Sequence, residues 1–330
     1  MLRLLPVLLL FFSILFIDNT NAQTFYSNPY AHTFSIVARD TITGELGVAV
    51  QSHWFNVGAV VPWGEAGVGV IATQSFVNVS FGIRGLELLK QGLTPSQVID
   101  SLLSDDSGRD LRQVAVLDSK GRVASYTGKN CVPAAGNLIG DNFSVQANLM
   151  LNDRVWPAMA EAFKTEKGPL AERMVAALEA GQKAGGDIRG KQSAALMVFK
   201  GRSSDKPWED KLIDLRVEDN PEPIKELKRV LKVYRAYEHM NQGDLAVEKG
   251  NMKKAMEEYS AAEKMFPGNE EMKYWHAVTL ANNGRVSDSL PIFKEVFSAN
   301  TNWKTLTPRL VPVGLLKVST EDLNKILSLK

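Results

Sequence analysis

Apolar and polar positions alternate from residue 34 onward. Phe34-Ser35-Ile36-Val37-Ala38 reads as a strand, residues 41–45 supply turn chemistry, and Leu46-Gly47-Val48-Ala49-Val50 resumes the apolar run. Two strands around a glycine-bearing loop predict a hairpin. Residues 57–73 are rich in Val, with glycines at 58, 64, 67 and 69, and predict buried strands whose backbones approach closely. The period then lengthens. Ile83, Leu86, Leu88 and Leu89 fall on one helix face closed by Gly92, and Thr94-Pro95 opens a second helix over residues 96–103. Residues 114–117 and 123–126 predict strands around the turn Asp118-Ser119-Lys120-Gly121. A strand over 143–150, helices over 153–164 and 169–183, and strands over 194–199 and 211–217 complete this half. Grouped hairpins and paired helices argue for an α+β fold; two stacked antiparallel sheets with helices on both outer faces fit that order.

From Pro221 the pattern is helical. Ile224, Leu227, Leu231 and Tyr234 make an apolar face, and Lys225, Lys228, Arg229, Lys232 and Arg235 lie on the other side. That basic row reads as a solvated face in preference to an anionic-surface binder. Further on, Gly243, Gly250, Ala255, Tyr259, Ala262 and Pro267 match the small, aromatic and proline positions of a 34-residue tetratricopeptide repeat. A weaker second copy has Ala277, Gly284, Ser289 and Phe293, without the terminal proline. Two copies are too few to stand alone, so they are expected to pack on the preceding helix and the last residues of the chain. Residues 237–300 are therefore a candidate surface for a protein partner, or equally a spacer or a homo-oligomer contact.

The N-terminus changes the picture of location. Arg3 precedes Leu4 to Ile17, an uncharged and mostly apolar run, and Thr20-Asn21-Ala22 offers a small-residue cleavage site. This is the layout of a secretory signal peptide, and the run is short for a membrane span. The mature protein is expected to be exported, periplasmic or extracellular, with no stable membrane insertion. The domain reading is residues 1–22 as signal peptide, 23–32 as an N-terminal extension, 33–220 as the α+β part and 221–330 as an all-α helical part.

Composition narrows the chemistry. Lys and Arg total 38 against 37 Asp and Glu, for a net charge of +1, which gives no basic excess for nucleic acid. One cysteine excludes an intrachain disulfide and any multi-cysteine zinc site, and four scattered histidines leave little for a metal centre. No phosphate-cradling loop, His-Glu-x-x-His or Gly-x-Ser-x-Gly is present. No cofactor is expected.

Four blocks carry a resemblance. They are residues 32–40 with 44–52, Gly67-Val68-Gly69-Val70-Ile71-Ala72-Thr73-Gln74-Ser75, Phe143-Ser144-Val145-Gln146-Ala147-Asn148, and residues 184–196 around Gly185-Gly186-Asp187-Ile188-Arg189-Gly190. In this order they resemble the bacterial family catalogued as domain of unknown function 1028, over roughly residues 32–220. The resemblance implies the fold of the N-terminal nucleophile hydrolases, a four-layer α-β-β-α sandwich. It also implies a hydrolase that attacks amide bonds, on a small amide-containing molecule or a peptide, with Thr33 as nucleophile. A threonine hydroxyl is a poor nucleophile at neutral pH. A free α-amino group on the same residue, with a pKa near 8, can accept its proton directly or through water.

That amine exists only if the chain is cut between His32 and Thr33, ten residues beyond the new terminus at Gln23. Otherwise Thr33 simply begins a strand, and the fold serves as a non-catalytic binding scaffold. Around Thr33 the candidate groups each have two readings. Asp40 is a catalytic carboxylate or a turn residue. Ser52 and His53 end the second strand; His53 orients or shuttles protons, or is a partly buried structural histidine. Gln74 and Asn148 can hold a developing oxyanion or satisfy nearby backbone. Asp187, Arg189 and Gln192 bind a polar substrate end or lock their own loop. Cys131 lacks a setting that would lower its pKa.

Overall fold

The computed structural model describes residues 30–329. The expected signal peptide and most of the extension ahead of Thr33 lie outside the described residues. The chain enters as a two-residue strand, β1 (Tyr30–Ala31), and after the single residue His32 becomes β2 (Thr33–Arg39). These two strands belong to different sheets: β1 pairs with Ser75 and Phe76, whereas β2 runs antiparallel to β3 (Leu46–Ser52) with Thr33 opposite Ser52. The turn between β2 and β3 is held by Asp40, whose Oδ1 accepts from the N–H groups of Ile42 (2.8 Å) and Thr43 (2.9 Å).

Residues 57–73, expected as strands throughout, begin with a 3₁₀ turn over Val57–Ala59 before β4 (Pro62–Glu65) and β5 (Gly69–Phe76). Two helices follow, α1 (Ser80–Lys90) and α2 (Pro95–Ser104). Thr94 caps α2 in a reciprocal box with Gln97. The buried face of α1 differs from the sequence expectation. Ile83 is 58% exposed, and the face is Phe81, Gly82, Gly85, Leu86 and Leu89. The glycines turn the helix: a Cβ on Gly82 would stand 2.2 Å from the Trp63 ring, and one on Gly85 2.5 Å from Ile71.

Strands β6 (Arg112–Asp118) and β7 (Val123–Thr127) form the anticipated hairpin. Next come β8 (Gly136–Gly140), which the sequence did not announce, and β9 (Phe143–Ala147). β8 is an edge strand whose exposed positions show no alternation. β9 stops at Ala147 rather than continuing to residue 150, because Leu149 takes φ +60° and Met150 bridges to Asp187 instead. Helices α3 (Val155–Thr165) and α4 (Leu170–Lys183), then strands β10 (Ser193–Phe199) and β11 (Lys211–Val217), complete the α+β part. One sheet has the order β1-β5-β6-β7 with β4 also on β5, and the other β11-β10-β3-β2-β9-β8. Every pairing is antiparallel.

The strand period of two sends alternate residues to opposite faces. Phe34, Ile36 and Ala38 of β2 join a cluster with α3 and α4, while Val37 joins Val48, Val50, Val70, Ala72 and Ala115 between the sheets. Ile71, Val114 and Val116 face the other way, onto α1 and α2.

The helical part is α5 (Pro223–Glu248), α6 (Met252–Met265), α7 (Glu270–Asn282), α8 (Val286–Ala299), α9 (Thr301–Leu306) and α10 (Thr320–Leu327). α5 is shared. Its first half buries Ile224, Leu227 and Leu231 with α4 and β11, and its second half buries Ala236 and Met240 against α6. The basic row of α5 is partly tied down, with Lys228 on Glu179 (2.9 Å) and Arg235 on Glu172 (2.8 Å) of α4.

Candidate functional site

At the Thr33 end of the inter-sheet layer the apolar pattern breaks. The positions that point between the sheets become Thr33 and Ser35 on β2, Ser52 on β3, Gln74 on β5, Gln113 on β6 and Gln146 on β9, all completely buried. A buried amide or hydroxyl without a partner is costly, so these groups must satisfy one another. Gln74 is the hub on one side: its Oε1 accepts from Ser35 Oγ (2.6 Å), and its Nε2 donates to Gln113 Oε1 (2.6 Å) and the Thr33 carbonyl (3.2 Å). Gln113 is the hub on the other. Its Nε2 donates to Thr127 Oγ1 and the Ala147 carbonyl, both at 2.9 Å, and its Oε1 also accepts from Asn148 Nδ2 (2.9 Å). Gln146 Nε2 donates to Ser35 Oγ at 2.5 Å.

The two carbonyls flanking the Thr33 nitrogen and Cα are both engaged. The Thr33 carbonyl accepts from the backbone N–H of Asn148 (3.1 Å) as well as from Gln74. The carbonyl of His32, one bond before Thr33, accepts from Ser52 Oγ (2.6 Å) and Arg189 Nη2 (2.8 Å). A hydroxyl and a guanidinium on one carbonyl oxygen withdraw charge from its carbon and can stabilise negative charge on the oxygen. The Thr33 hydroxyl is itself fully buried and donates to the Ala31 carbonyl at 2.7 Å.

Asp187 aims Arg189. Its carboxylate is 3% exposed as a residue and takes the Arg189 N–H (2.9 Å), Nε (3.0 Å) and Nη2 (2.7 Å), together with the His53 N–H (3.1 Å). The pair therefore locks its loop and also presents a guanidinium to the His32 carbonyl. His32 lies 7% exposed, with Nδ1 2.8 Å from Asn148 Oδ1 and its ring edge-on to Phe76. Burial pushes its imidazole pKa below the ordinary value, against the opposing hydrogen bond to Asn148.

Of the residues singled out from sequence, Thr33, Ser52, Gln74, Asn148, Asp187 and Arg189 converge here. His53 contributes its backbone N–H to Asp187 and sits half-buried at the margin. Two do not join. Asp40 holds the turn at the far end of β2, about 20 Å away at the rise of a strand. Gln192 gives its N–H to the Ser52 carbonyl, but its side chain goes to Asp219 (3.1 Å). The amides of Gln74 and Asn148 serve the Thr33 carbonyl, and the donors on the preceding carbonyl are Ser52 and Arg189. Ser35, Gln113 and Gln146 were missed. Ser35 and Gln113 carry a signal, a polar residue at an inward strand position two away from an apolar one (Ser35 before Val37, Gln113 before Ala115); Gln146 does not, since Ser144 two residues before it is also polar. The Cys131 thiol is buried, and desolvation raises its pKa. Among the described residues no group of His, Cys, Asp and Glu is placed to hold a metal ion.

A family model described as a family of unknown function (DUF1028) matches residues 33–227. The crystal structure of protein SPO2555 from Silicibacter pomeroyi, described with the same family, is similar at 31% identity and a TM-score of 0.56, covering 61% of this chain and 85% of that one. No curated protein matches the chain.

Two outcomes follow from the network. Replacing Gln113 with Leu leaves the Gln74 and Asn148 amide donors without their shared acceptor, and should destabilise the protein by at least about 2 kcal/mol in urea unfolding. His32 provides a pH signature in the uncut chain. Its folded pKa lies below the unfolded value, so the unfolded state binds more protons in that window, and stability present above pH 6.5 is lost as pH falls through the folded pKa. His32→Gln should flatten the fall in unfolding free energy between about pH 7.5 and pH 5.5.

Proposed function

The chain belongs to the DUF1028 family, and on that premise we propose that it is an exported amide-bond hydrolase of the N-terminal nucleophile type, with Thr33 as nucleophile. The observation that carries the reading is the His32–Thr33 peptide: a buried threonine hydroxyl follows a carbonyl gripped by Ser52 and Arg189. The arrangement of two antiparallel sheets with helix clusters against their outer faces supports an α-β-β-α sandwich. The family match starting at residue 33 is consistent with Thr33 as the first residue of the working domain.

In this reading the chain cuts itself first. Thr33 Oγ attacks the His32 carbonyl carbon, and the negative charge that develops on the oxygen is held by Ser52 and Arg189. The C–N bond breaks, an ester to Thr33 Oγ forms, and the hydroxyl proton ends on the Thr33 nitrogen. Water then hydrolyses the ester, leaving a carboxylate on His32 and a free α-amine on Thr33. That amine becomes the base for the Thr33 hydroxyl in later turnovers, with an amide substrate in place of the His32 peptide. While the bond is intact β1 covers Thr33, so the uncut protein is latent.

The other reading, a non-catalytic binding protein, is favoured by that same burial of Thr33. The helical part would serve partner contact under either. There Gly250 and Gly284, 34 residues apart, both take positive φ (+69° and +73°). Each is followed by the same reverse bond, Asn251 N–H to the Ala246 carbonyl (2.8 Å) and Arg285 N–H to the Leu280 carbonyl (2.9 Å). That periodicity supports a tetratricopeptide-like pair of repeats.

A chain prepared to begin at Thr33 should hydrolyse simple amide reporters such as p-nitroanilides, and Thr33→Ala should abolish this. Ser52→Ala and Arg189→Gln should each slow release of the new N-terminus by about 10²-fold, the usual loss for an oxyanion donor. Equal hydrolysis by the wild type and Thr33→Ala would exclude Thr33 as the nucleophile.

A further inference from the structure

The opposite end of the sheets carries an open cleft. A cleft of about 1100 Å³ opens between the turn after β2, the β4–β5 turn and the loop that follows β10. Four cations line it, Arg39, Lys90, Lys200 and Arg202, against two acids, Glu45 and Glu65. Lys90 is occupied by Glu65 (2.8 Å) and Lys200 by Asp210 (3.4 Å). Among the described residues Arg39 and Arg202 have no carboxylate partner. Arg39 is the more telling. Its Nε is buried and has no acceptor among the described residues, a condition that native interiors avoid.

The cleft is a built feature. Gly44 and Gly121, with φ of +79° and +83°, fold turns over the Arg39 side chain: a Cβ on Gly44 would lie 3.8 Å from Nη2, and one on Gly121 3.7 Å from Cδ. The wall is closed by backbone contact, since a Cβ on Gly201 would fall 2.3 Å from the Gly44 carbonyl oxygen and one on Gly67 2.8 Å from the Ser203 nitrogen. These close approaches fix the loop that carries Arg202 against the turn that covers Arg39. Two guanidiniums, one with an unanswered buried donor, thus face a roomy cleft whose other charges, Glu45 apart, are paired. Planar guanidinium forks suit oxygens of phosphate and carboxylate groups, which accept two parallel hydrogen bonds.

We infer that this cleft binds a multiply charged oxyanion, a phosphoester or a polycarboxylate, with Arg39 and Arg202 as its cationic contacts. The site is remote from Thr33 and does not depend on the hydrolase reading. Calorimetric titration of the whole folded chain with pyrophosphate and with citrate, at about 50 mM salt so that screening is modest, reads it directly. At least one of the two should bind saturably at one site, and which one binds identifies the chemistry. Glycerol, uncharged, should not bind. Arg39→Gln should weaken the binding at least about tenfold. The exposed Arg202→Gln, which leaves the buried framework untouched, should do likewise with an unchanged melting temperature. Failure of both anions to saturate, or affinities unchanged in Arg202→Gln and in the double variant, would overturn the inference.

Discussion

Polar side chains shut between two sheets must find their hydrogen bonds inside the protein, and that demand places everything around Thr33. Gln74 and Gln113 come from one sheet, Ser35, Gln146 and Asn148 from the other sheet and its margin, and their amides interlock. Each amide can make several bonds: Gln74 and Gln113 bond to one another within their sheet and also reach across the gap to Ser35, the Thr33 and Ala147 carbonyls and Asn148. The result is a rigid polar end on an otherwise apolar layer of Val, Leu and Ala. An apolar filling would remove the side-chain bonds to the Thr33 and His32 carbonyls and leave Thr33 held by its backbone pairing alone.

The same constraint explains the path of the chain into the site. β1 lies on one sheet and β2 on the other, so His32 is the crossing point and its carbonyl cannot join either ladder. Its bonds come instead from side chains, Ser52 across the β2–β3 ladder and Arg189 from the loop before β10. Asp187 neutralises Arg189 and fixes its direction, so the guanidinium approaches the carbonyl as part of a bidentate pair. The His32–Thr33 peptide thus passes from one sheet to the other with its oxygen held by two side-chain donors.

Much of the scaffold was legible because strand and helix periods are local. The β2–β3 and β6–β7 hairpins and α2–α5 follow from alternation, turn residues and capping chemistry. Where reading failed, a long-range packing fact had intervened. Ile83 reads as a core residue, yet Trp63 and Ile71 pack onto Gly82 and Gly85 and rotate α1 away from it. Ser35, Gln113 and Gln146 look like ordinary strand residues, because Gln74, which bonds Ser35 and Gln113, and Ser35, which bonds Gln146, are 39 to 111 residues away from them. Asp40 sits near Thr33 in sequence, but an extended strand carries it to the far end of the sheet. The resemblance located Thr33, Asp187 and Arg189; only the fold shows that Arg189 and Ser52 meet on the carbonyl of His32.

The proposed activity requires a cut at the His32–Thr33 bond. The most direct measurement is the intact mass and N-terminal residue of the wild-type protein, exported by a native-like host and purified folded. The expected result is a chain that begins at Thr33. A fully folded, aged preparation that begins at Gln23, with the His32–Thr33 bond whole, would contradict it and leave the buried polar network as a structural device of a binding protein.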